Sequence, residues 1–154
     1  MHPGHFQIEG KWNSIKLGAT NRAVIEEGGS YRCFMSAIEL LKNGNLNVTY
    51  FHRKNGQCIK EFYIADKTAI PGRYEFEYEG KNYLTFVAVT SDFAVVDTEN
   101  QSDRGQLVVV ELYGRGLSVG DAGQKAYSQH SARRGIPEEN IFDLSKLEHC
   151  KHIP

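Results

Sequence analysis

Hydrophobic and polar residues alternate along short segments of this chain, and turn residues separate the segments roughly every ten positions. The clearest segment is Arg73–Glu79, in which every even position is aromatic and every odd position is charged. A period of two is typical of a β-strand that has one buried face and one exposed face. The pattern therefore predicts a protein built mainly from half-buried strands.

The same pattern predicts eight strands. Asn55-Gly56, Pro71-Gly72 and Glu79-Gly80-Lys81 are turn sequences between successive strands. The connection 21–29 ends in two glycines, and we expect it to lie across an opening. The predicted strands cover residues 12–19, 30–41, a third segment containing Leu46, Val48 and Tyr50, and then 58–66, 73–79, 82–89, 93–98 and 105–115.

One helix is predicted, over residues 118–135. Ser118-x-x-Asp121 indicates its N-terminal cap and Gly135 its C-terminal cap. Strand 105–115 is apolar on both faces and needs cover on its outer side, which the following helix can supply. Closing the sheet would remove the exposed edges of so many strands. The predicted fold is therefore all-β, an eight-stranded barrel with one C-terminal helix packed outside.

Length and charge restrict the partners of such a domain. The 154 residues predict a single domain, in which residues 1–5 are disordered and 136–154 form a tail. The formal net charge of −1 provides no field that would gather nucleic acid or an anionic membrane. No apolar run approaches the roughly 20 residues that span a bilayer. We therefore expect neither nucleic acid nor a membrane as a partner.

The cysteines bear on the compartment. Cys58 and Cys150 lie about ninety residues apart, and Cys33 is left over. A disulfide closing so long a loop would stabilise the fold by roughly 4–5 kcal/mol and tie the tail to the barrel. The alternative is three reduced thiols in a cytosolic protein. No signal-peptide core is present, so the chain is either cytosolic or a processed secreted form, and we favour the processed form.

Other candidate chemistry is sparse. Asn47-Val48-Thr49 and Asn100-Gln101-Ser102 are glycosylation acceptor patterns, compatible with secretion but common by chance. None of the six histidines has metal-ligand spacing with a cysteine or a second histidine. No phosphate-binding glycine loop or nucleophile elbow occurs. We therefore expect no metal and no other cofactor.

Three motifs, taken together in chain order, resemble those of the lipocalin family. Gly10-Lys11-Trp12 matches the first motif, Gly-x-Trp. Thr90-Ser91-Asp92-Phe93 resembles the second, with a one-residue departure and Phe in place of Tyr. Arg115 ends the eighth strand, as the arginine of the third motif does. The resemblance covers nearly the whole chain, from Phe6 to Cys150.

The closer resemblance is to the odorant- and pheromone-binding lipocalins of mammalian secretions, including urinary and salivary carriers. Residues 26–30 and 135–141 are similar to stretches typical of that group. The resemblance implies an antiparallel up-and-down calyx that is open at one end. It also implies a Cys58–Cys150 disulfide that leaves Cys33 as a free, poorly reactive thiol.

The resemblance implies roles for individual residues. Trp12 and Arg115, with Gly10, would close one end of the barrel through a cation–π contact, which is a structural role. The inward positions of the family, combined with alternation, imply a mainly aromatic ligand-binding lining. That lining comprises Tyr31, Cys33, Met35, Ile38, Val48, Tyr50, Tyr63, Phe76, Tyr78, Leu84, Phe86, Val109, Glu111 and Tyr113. An alternative is that these aromatic residues simply fill the barrel.

The resemblance implies a secreted, extracellular carrier and not an enzyme. The carrier would bind small hydrophobic molecules, such as odorants, pheromones and phenolic volatiles. It would be a monomer or a weak homodimer. The bulk of the lining residues predicts a compact cavity. Two alternatives remain: a prostaglandin-isomerase-like lipocalin with Cys33 as nucleophile, and a milk or salivary lipocalin with incidental ligand binding.

Alternation places Glu111 inside, where its pKa should rise; the alternative is an outward Glu111 facing solvent or the helix.

Overall fold

The computed structural model of the protein describes residues 8–147 and Cys150. The disorder expected at residues 1–5 and part of the predicted tail lie outside the described residues. Short 3-10 helices cover Arg22–Ile25, Glu138–Asn140 and Leu144–Lys146. The strands are β1 (Gly10–Lys11), β2 (Asn13–Ala19), β3 (Phe34–Leu40), β4 (Leu46–Lys54), β5 (Gln57–Lys67), β6 (Arg73–Glu77), β7 (Lys81–Val89), β8 (Phe93–Ser102), β9 (Gly105–Gly114) and β10 (Ile141–Asp143), and the helix α1 is Asp121–Arg133.

The strands form an antiparallel up-and-down sheet, as predicted. Strands β3 to β8 each pair with the next strand along the chain, so the series ends at β9. Strand β1 pairs with β3, and β2 pairs with β9, so both edges of this meander meet in the single stretch 10–19. The ladder is interrupted there at Trp12, whose backbone N–H donates to Ser36 O over 3.0 Å. The predicted all-β fold class is therefore confirmed. The two edges of the sheet are joined through the bent segment 10–19, and the ladder of hydrogen bonds is not continuous there.

Two predicted strand boundaries are wrong, whereas the predicted strand 12–19 is found as β2, with the short β1 ahead of it. The predicted strand 93–98 continues to Ser102, because the residues up to Ser102 remain paired with β9. The predicted strand 30–41 begins only at Phe34. Its first residues form a turn in which the backbone N–H groups of Tyr31 and Arg32 donate to Val24 O and Gly29 O. Strand β10, which pairs with β2, was not predicted.

Helix α1 covers β8 and β9 on the outside of the sheet, as the apolar outer face of β9 predicted. The Tyr127 hydroxyl donates to Val110 O over 2.8 Å, and both residues are buried. Gly123 allows the close approach, since a Cβ there would lie 3.0 Å from the Phe93 ring. The predicted Ser118 cap is wrong: the helix is preceded by Gly120 and has no side-chain cap. No helix among the described residues is long and apolar enough to cross a membrane.

A charged cluster also fixes α1 to the sheet. Arg134 contacts Asp97 (2.9 Å) and Glu99 (2.6 Å) of β8, and His130 Nε2 lies 2.6 Å from the Asp97 carboxylate. The hydrogen bond from Arg134 lowers the pKa of Glu99. A lowered carboxyl pKa stabilises the fold above the ordinary pKa of glutamate, and this contribution is lost as the pH falls through the lowered value.

Arg134→Ala is expected to lower the free energy of unfolding by about 1–2 kcal/mol, because it leaves Asp97, only 8% exposed, and Glu99 without their guanidinium partner. The adjacent, exposed Arg133 is the matched control, and Arg133→Ala should change stability by less than about 0.5 kcal/mol. Urea unfolding at neutral pH measures both values. Equal losses for the two variants would contradict a specific role for Arg134.

The C-terminal segment is tied to the sheet by a Cys58–Cys150 disulfide, across a sequence separation of 92 residues. This confirms the implied pairing. Cys150 is buried in a cluster that includes Leu17, Ile25 and Phe34. Cys33 is free.

Candidate ligand-binding cavity

The sheet encloses a cavity of about 700 Å³, which we call the calyx. One end is closed by Trp12 and Arg115, and the other opens between the connection 27–32 and the hairpin of β4 and β5. Residues 27–30 line the calyx, so the connection lies at the opening as predicted.

The closed end is built around Trp12. The Arg115 guanidinium carbon lies 3.5 Å from the centroid of the Trp12 ring, and the indole N–H donates to Ile8 O over 2.8 Å. Arg115 also donates to Lys11 O (2.6 Å) and Glu9 O (2.9 Å). Gly10 has a φ of +110°, and a Cβ there would lie 3.2 Å from Arg115 Nη1. Glycine is therefore required where the guanidinium crosses the backbone.

Most of the predicted lining residues do line the calyx. They come from the connection before β3, from β3, β4, β5, β6 and β9, and from the turn after β6. Within the strands they lie on one face, because their spacing follows the period of two. These residues are Tyr31, Cys33, Met35, Val48, Tyr50, Tyr63, Phe76, Tyr78, Glu111 and Tyr113.

Four of the predicted lining residues are not among those that border the calyx, and their role in ligand binding stays a prediction; they are Ile38, Leu84, Phe86 and Val109. Ile38, Leu84 and Phe86 pack into the core cluster that contains Trp12. Val109 packs into the separate cluster around Cys150. Alternation assigns a side chain to a face of the sheet, but it does not say whether other side chains cover it there.

Several lining residues were missed by sequence reasoning. Most lie in the connection after Ile25 or at the ends of β4 and β6, where alternation carries no information about an opening. Only the expectation that 21–29 crosses the mouth pointed to any of them. The missed residues are Glu27, Gly28, Gly29, Ser30, Arg32, Phe34, His52, Arg53, Lys54, Glu61, Phe62, Glu77, Thr98 and Leu147.

Eight Tyr and Phe side chains line the calyx, and several of them pack against one another. Tyr63 and Phe76 stack with their centroids 4.3 Å apart, and Tyr50 lies 6.0 Å from Tyr63. At the mouth, Tyr31 and Tyr78 meet edge to face at 5.4 Å. These contacts hold rigid apolar surfaces against which a small molecule can pack.

Hydrogen bonds fix the two rings at the mouth. The Tyr78 hydroxyl donates to Ser30 O over 2.7 Å, and the Tyr31 hydroxyl donates to Asn82 Oδ1 over 2.6 Å. Asn82 Oδ1 also accepts a hydrogen bond from Asn100 Nδ2. Asn100 is 5% exposed, and its Nδ2 donates to Glu79 O as well. The Asn100 amide is thus used inside the fold, so the acceptor pattern there is not open to glycosylation in the folded protein.

Glu111 points into the calyx, so the inward alternative is the one found. Burial raises its pKa to about 7, although a hydrogen bond from the Tyr113 hydroxyl favours the ionised form. Burial, followed by the charge of Glu111, raises the pKa of the Cys33 thiol well above its ordinary value. Cys33 is therefore a protonated thiol at neutral pH, which is a poor nucleophile.

Comparison with known proteins agrees with this geometry. Residues 9–148 match the Lipocalin / cytosolic fatty-acid binding protein family. Major urinary protein 20 of Mus musculus is 33% identical over 145 residues, which are 94% of this chain and 80% of that protein.

Two solved structures extend the similarity to the fold. The possum milk whey lipocalin trichosurin, solved at pH 4.6 with bound 4-ethylphenol, superposes with a TM-score of 0.85 at 32% identity, covering 91% of this chain and 98% of that chain. Aphrodisin, a sex pheromone from female hamster, gives a TM-score of 0.85 at 28% identity, covering 94% and 99%. With the family match spanning nearly all of the chain, the protein belongs to the lipocalin family.

Proposed function

We propose that this protein is a secreted carrier that binds small hydrophobic molecules, such as odorants, pheromones and phenolic volatiles, in the calyx. The observation that carries the proposal is a cavity of about 700 Å³ that opens to solvent and whose walls include eight Tyr and Phe side chains. A volume of this size lies in the range of about 300–1,000 Å³ that is usual for small-molecule sites.

Affinity would come mainly from burying the apolar surface of the ligand, at about 25 cal/mol per Å² before the costs of association. The phenolic hydroxyls and the Glu111 carboxyl can orient a polar group of the ligand. Trichosurin, which holds 4-ethylphenol in a similar fold, is consistent with a phenolic ligand here. We expect micromolar affinity and a monomer or weak homodimer.

Secretion is supported by the disulfide, because disulfides persist mainly in oxidising compartments. The relatives that bear on this point are urinary and milk whey proteins. A milk or salivary origin does not argue against binding, since trichosurin is a milk whey lipocalin with a bound ligand.

The isomerase alternative receives less support. An isomerase that uses Cys33 would need a thiolate, whereas burial and the nearby Glu111 raise the pKa of this thiol. We propose that Cys33 is a wall residue and that the protein is not an enzyme. Equal isomerase turnover by the wild type and by Cys33→Ala, at the background rate, is the expected result.

The carrier proposal predicts that wild-type protein binds 4-ethylphenol and medium-chain volatiles at micromolar concentration, measured by displacement of a fluorescent apolar probe. Phe76→Ala should shift preference towards bulkier ligands while the fold is retained, because it widens the wall formed with Tyr63. Phe142→Ala, outside the calyx beneath Arg22, is the matched control and should leave preference unchanged. If neither probe nor volatile binds wild-type protein at tens of micromolar, the carrier function is refuted.

A further inference from the structure

The calyx contains a carboxylate whose surroundings differ from those of the other acids in its wall. Glu61 lies 2.9 Å from His52 Nε2, Glu77 lies 3.3 Å from Lys81 Nζ, and Glu27 is exposed to solvent at the mouth. Each of these carboxylates therefore has a basic partner or water. Glu111 instead lies within strand β9 and not in one of the loops at the mouth.

Apolar residues flank Glu111 in the sheet. The strand register places Leu17 of β2 on one side and Val96 of β8 on the other, and both are fully buried. Neither neighbouring strand thus offers a charge beside the carboxylate. Buried carboxylates are costly unless they are paired with a cation or fully hydrogen-bonded.

The groups that interact with Glu111 are all weak acids. Among the described residues they are Tyr113 of β9, Tyr63 of β5, the Cys33 thiol ahead of β3, and Tyr127 of α1 across the wall. Burial raises the pKa of each, so each stays neutral and none is a counter-ion. The Tyr113 hydroxyl donates one hydrogen bond. A carboxylate can accept about four, so it has capacity for a ligand.

The aromatic wall near Glu111 suits a cation with an apolar body. The basic residues that line the calyx belong to the connection at its mouth and to the end of β4; they are Arg32, His52, Arg53 and Lys54. The stacked rings of Tyr63 and Phe76 and the adjacent ring of Tyr50 present aromatic surface to the cavity. Ring faces carry partial negative charge and attract ammonium groups, most strongly where water is excluded. A lone acid beside such rings is complementary to an ammonium, whereas an alcohol or phenol would satisfy a lone pair but leave the charge unpaired.

We propose that the calyx binds small amines in their protonated form, with the ammonium at Glu111 and the apolar frame against Tyr63 and Phe76. This proposal rests on the carrier function and specifies its ligand class. An ammonium would restore the ionised form of Glu111, whose pKa is about 7 in the empty calyx. Affinity for the amine should therefore rise as the pH increases through about 7, and fall again where the amine itself loses its proton.

The test compares three ligands of similar size: 2-phenylethylamine, 2-phenylethanol and propylbenzene. Calorimetric titration is made with the wild type, Glu111→Gln and Glu111→Leu. The wild type should bind the amine at least about tenfold more tightly than Glu111→Gln does, because a hydrogen bond to a charged group is strong. The alcohol should lose less, and propylbenzene should bind Glu111→Leu at least as well as the wild type. Glu138→Gln, an exposed carboxylate outside the calyx, is the matched control and should bind all three as the wild type does.

A second measurement does not depend on the variants. Carbon-13 NMR of the Glu111 carboxyl should show its pKa falling by at least about one unit on saturation with the amine, and remaining near the empty-calyx value with propylbenzene. If the alcohol and the hydrocarbon bind but the amine does not, or if Glu111→Gln binds the amine equally well, the amine proposal is wrong and the carrier function stands. If none of the three binds, both proposals fail.

Discussion

Removal of the Cys58–Cys150 disulfide is expected to lower the free energy of unfolding by roughly 2–5 kcal/mol. The bridge closes a loop of 92 residues, and cross-links of this length restrict the unfolded chain strongly. It also holds the C-terminal segment where Cys150 packs with Leu17 and Phe34. The measurement is chemical unfolding of the Cys58→Ala/Cys150→Ala protein beside the wild type.

Cys33→Ala is the matched control, because it removes one thiol and leaves the bridge intact. It should cost less than the double variant, and reduction with dithiothreitol should destabilise it as much as it destabilises the wild type. Peptide mapping under non-reducing conditions should place Cys33 outside any disulfide. A double variant as stable as the wild type would show that the bridge does not stabilise the fold.

Trp12→Ala is expected to cost about 3–5 kcal/mol, the range for truncation of a large buried aromatic side chain. Trp12 is 1% exposed, and its loss would leave a cavity at the closed end. It would also remove the ring beneath Arg115 and the hydrogen bond to Ile8 O. At about 2–4 °C per kcal/mol for a chain of this length, the melting temperature should fall by roughly 10 °C.

Because Trp12 is the only tryptophan in the chain, unfolding should be followed by circular dichroism instead of tryptophan fluorescence. Phe62→Ala is the matched control: Phe62 is 65% exposed, so its truncation should cost less than about 0.5 kcal/mol. Similar losses for both variants would contradict the structural role assigned to Trp12.

The sequence alone was sufficient to predict the class of fold and one face of its strands. Alternation in β4 and β9 correctly places Val48, Glu111 and Tyr113 inside, because a strand has a strict period of two. The Trp12 and Arg115 motifs indicated the closed end, since they recur in the family the chain resembles. Helix α1 followed from the apolar outer face of β9, although its N-terminal boundary did not.

Only the tertiary structure decided how deep each inward side chain lies along the barrel axis. Ile38 and Phe86 satisfy the same alternation as the lining residues, yet they are not among the residues that border the calyx. Bulges between Met35 and Ala37 and between Phe86 and Ala88 shift the pairing locally. The depth of a side chain depends on the stagger between strands, which no single strand encodes.

The surroundings of the polar groups were likewise decided by the tertiary structure. Asn82 and Asn100 lie 18 residues apart in sequence, and only the pairing of β7 with β8 brings them together beneath Tyr31. Alternation predicted Glu111 on the inner face, with an outward position as the alternative, and the structure places it inside. That it has apolar neighbours on both sides follows from the register with β2 and β8, because a residue's cross-strand partners are set by how the strands align in the folded sheet.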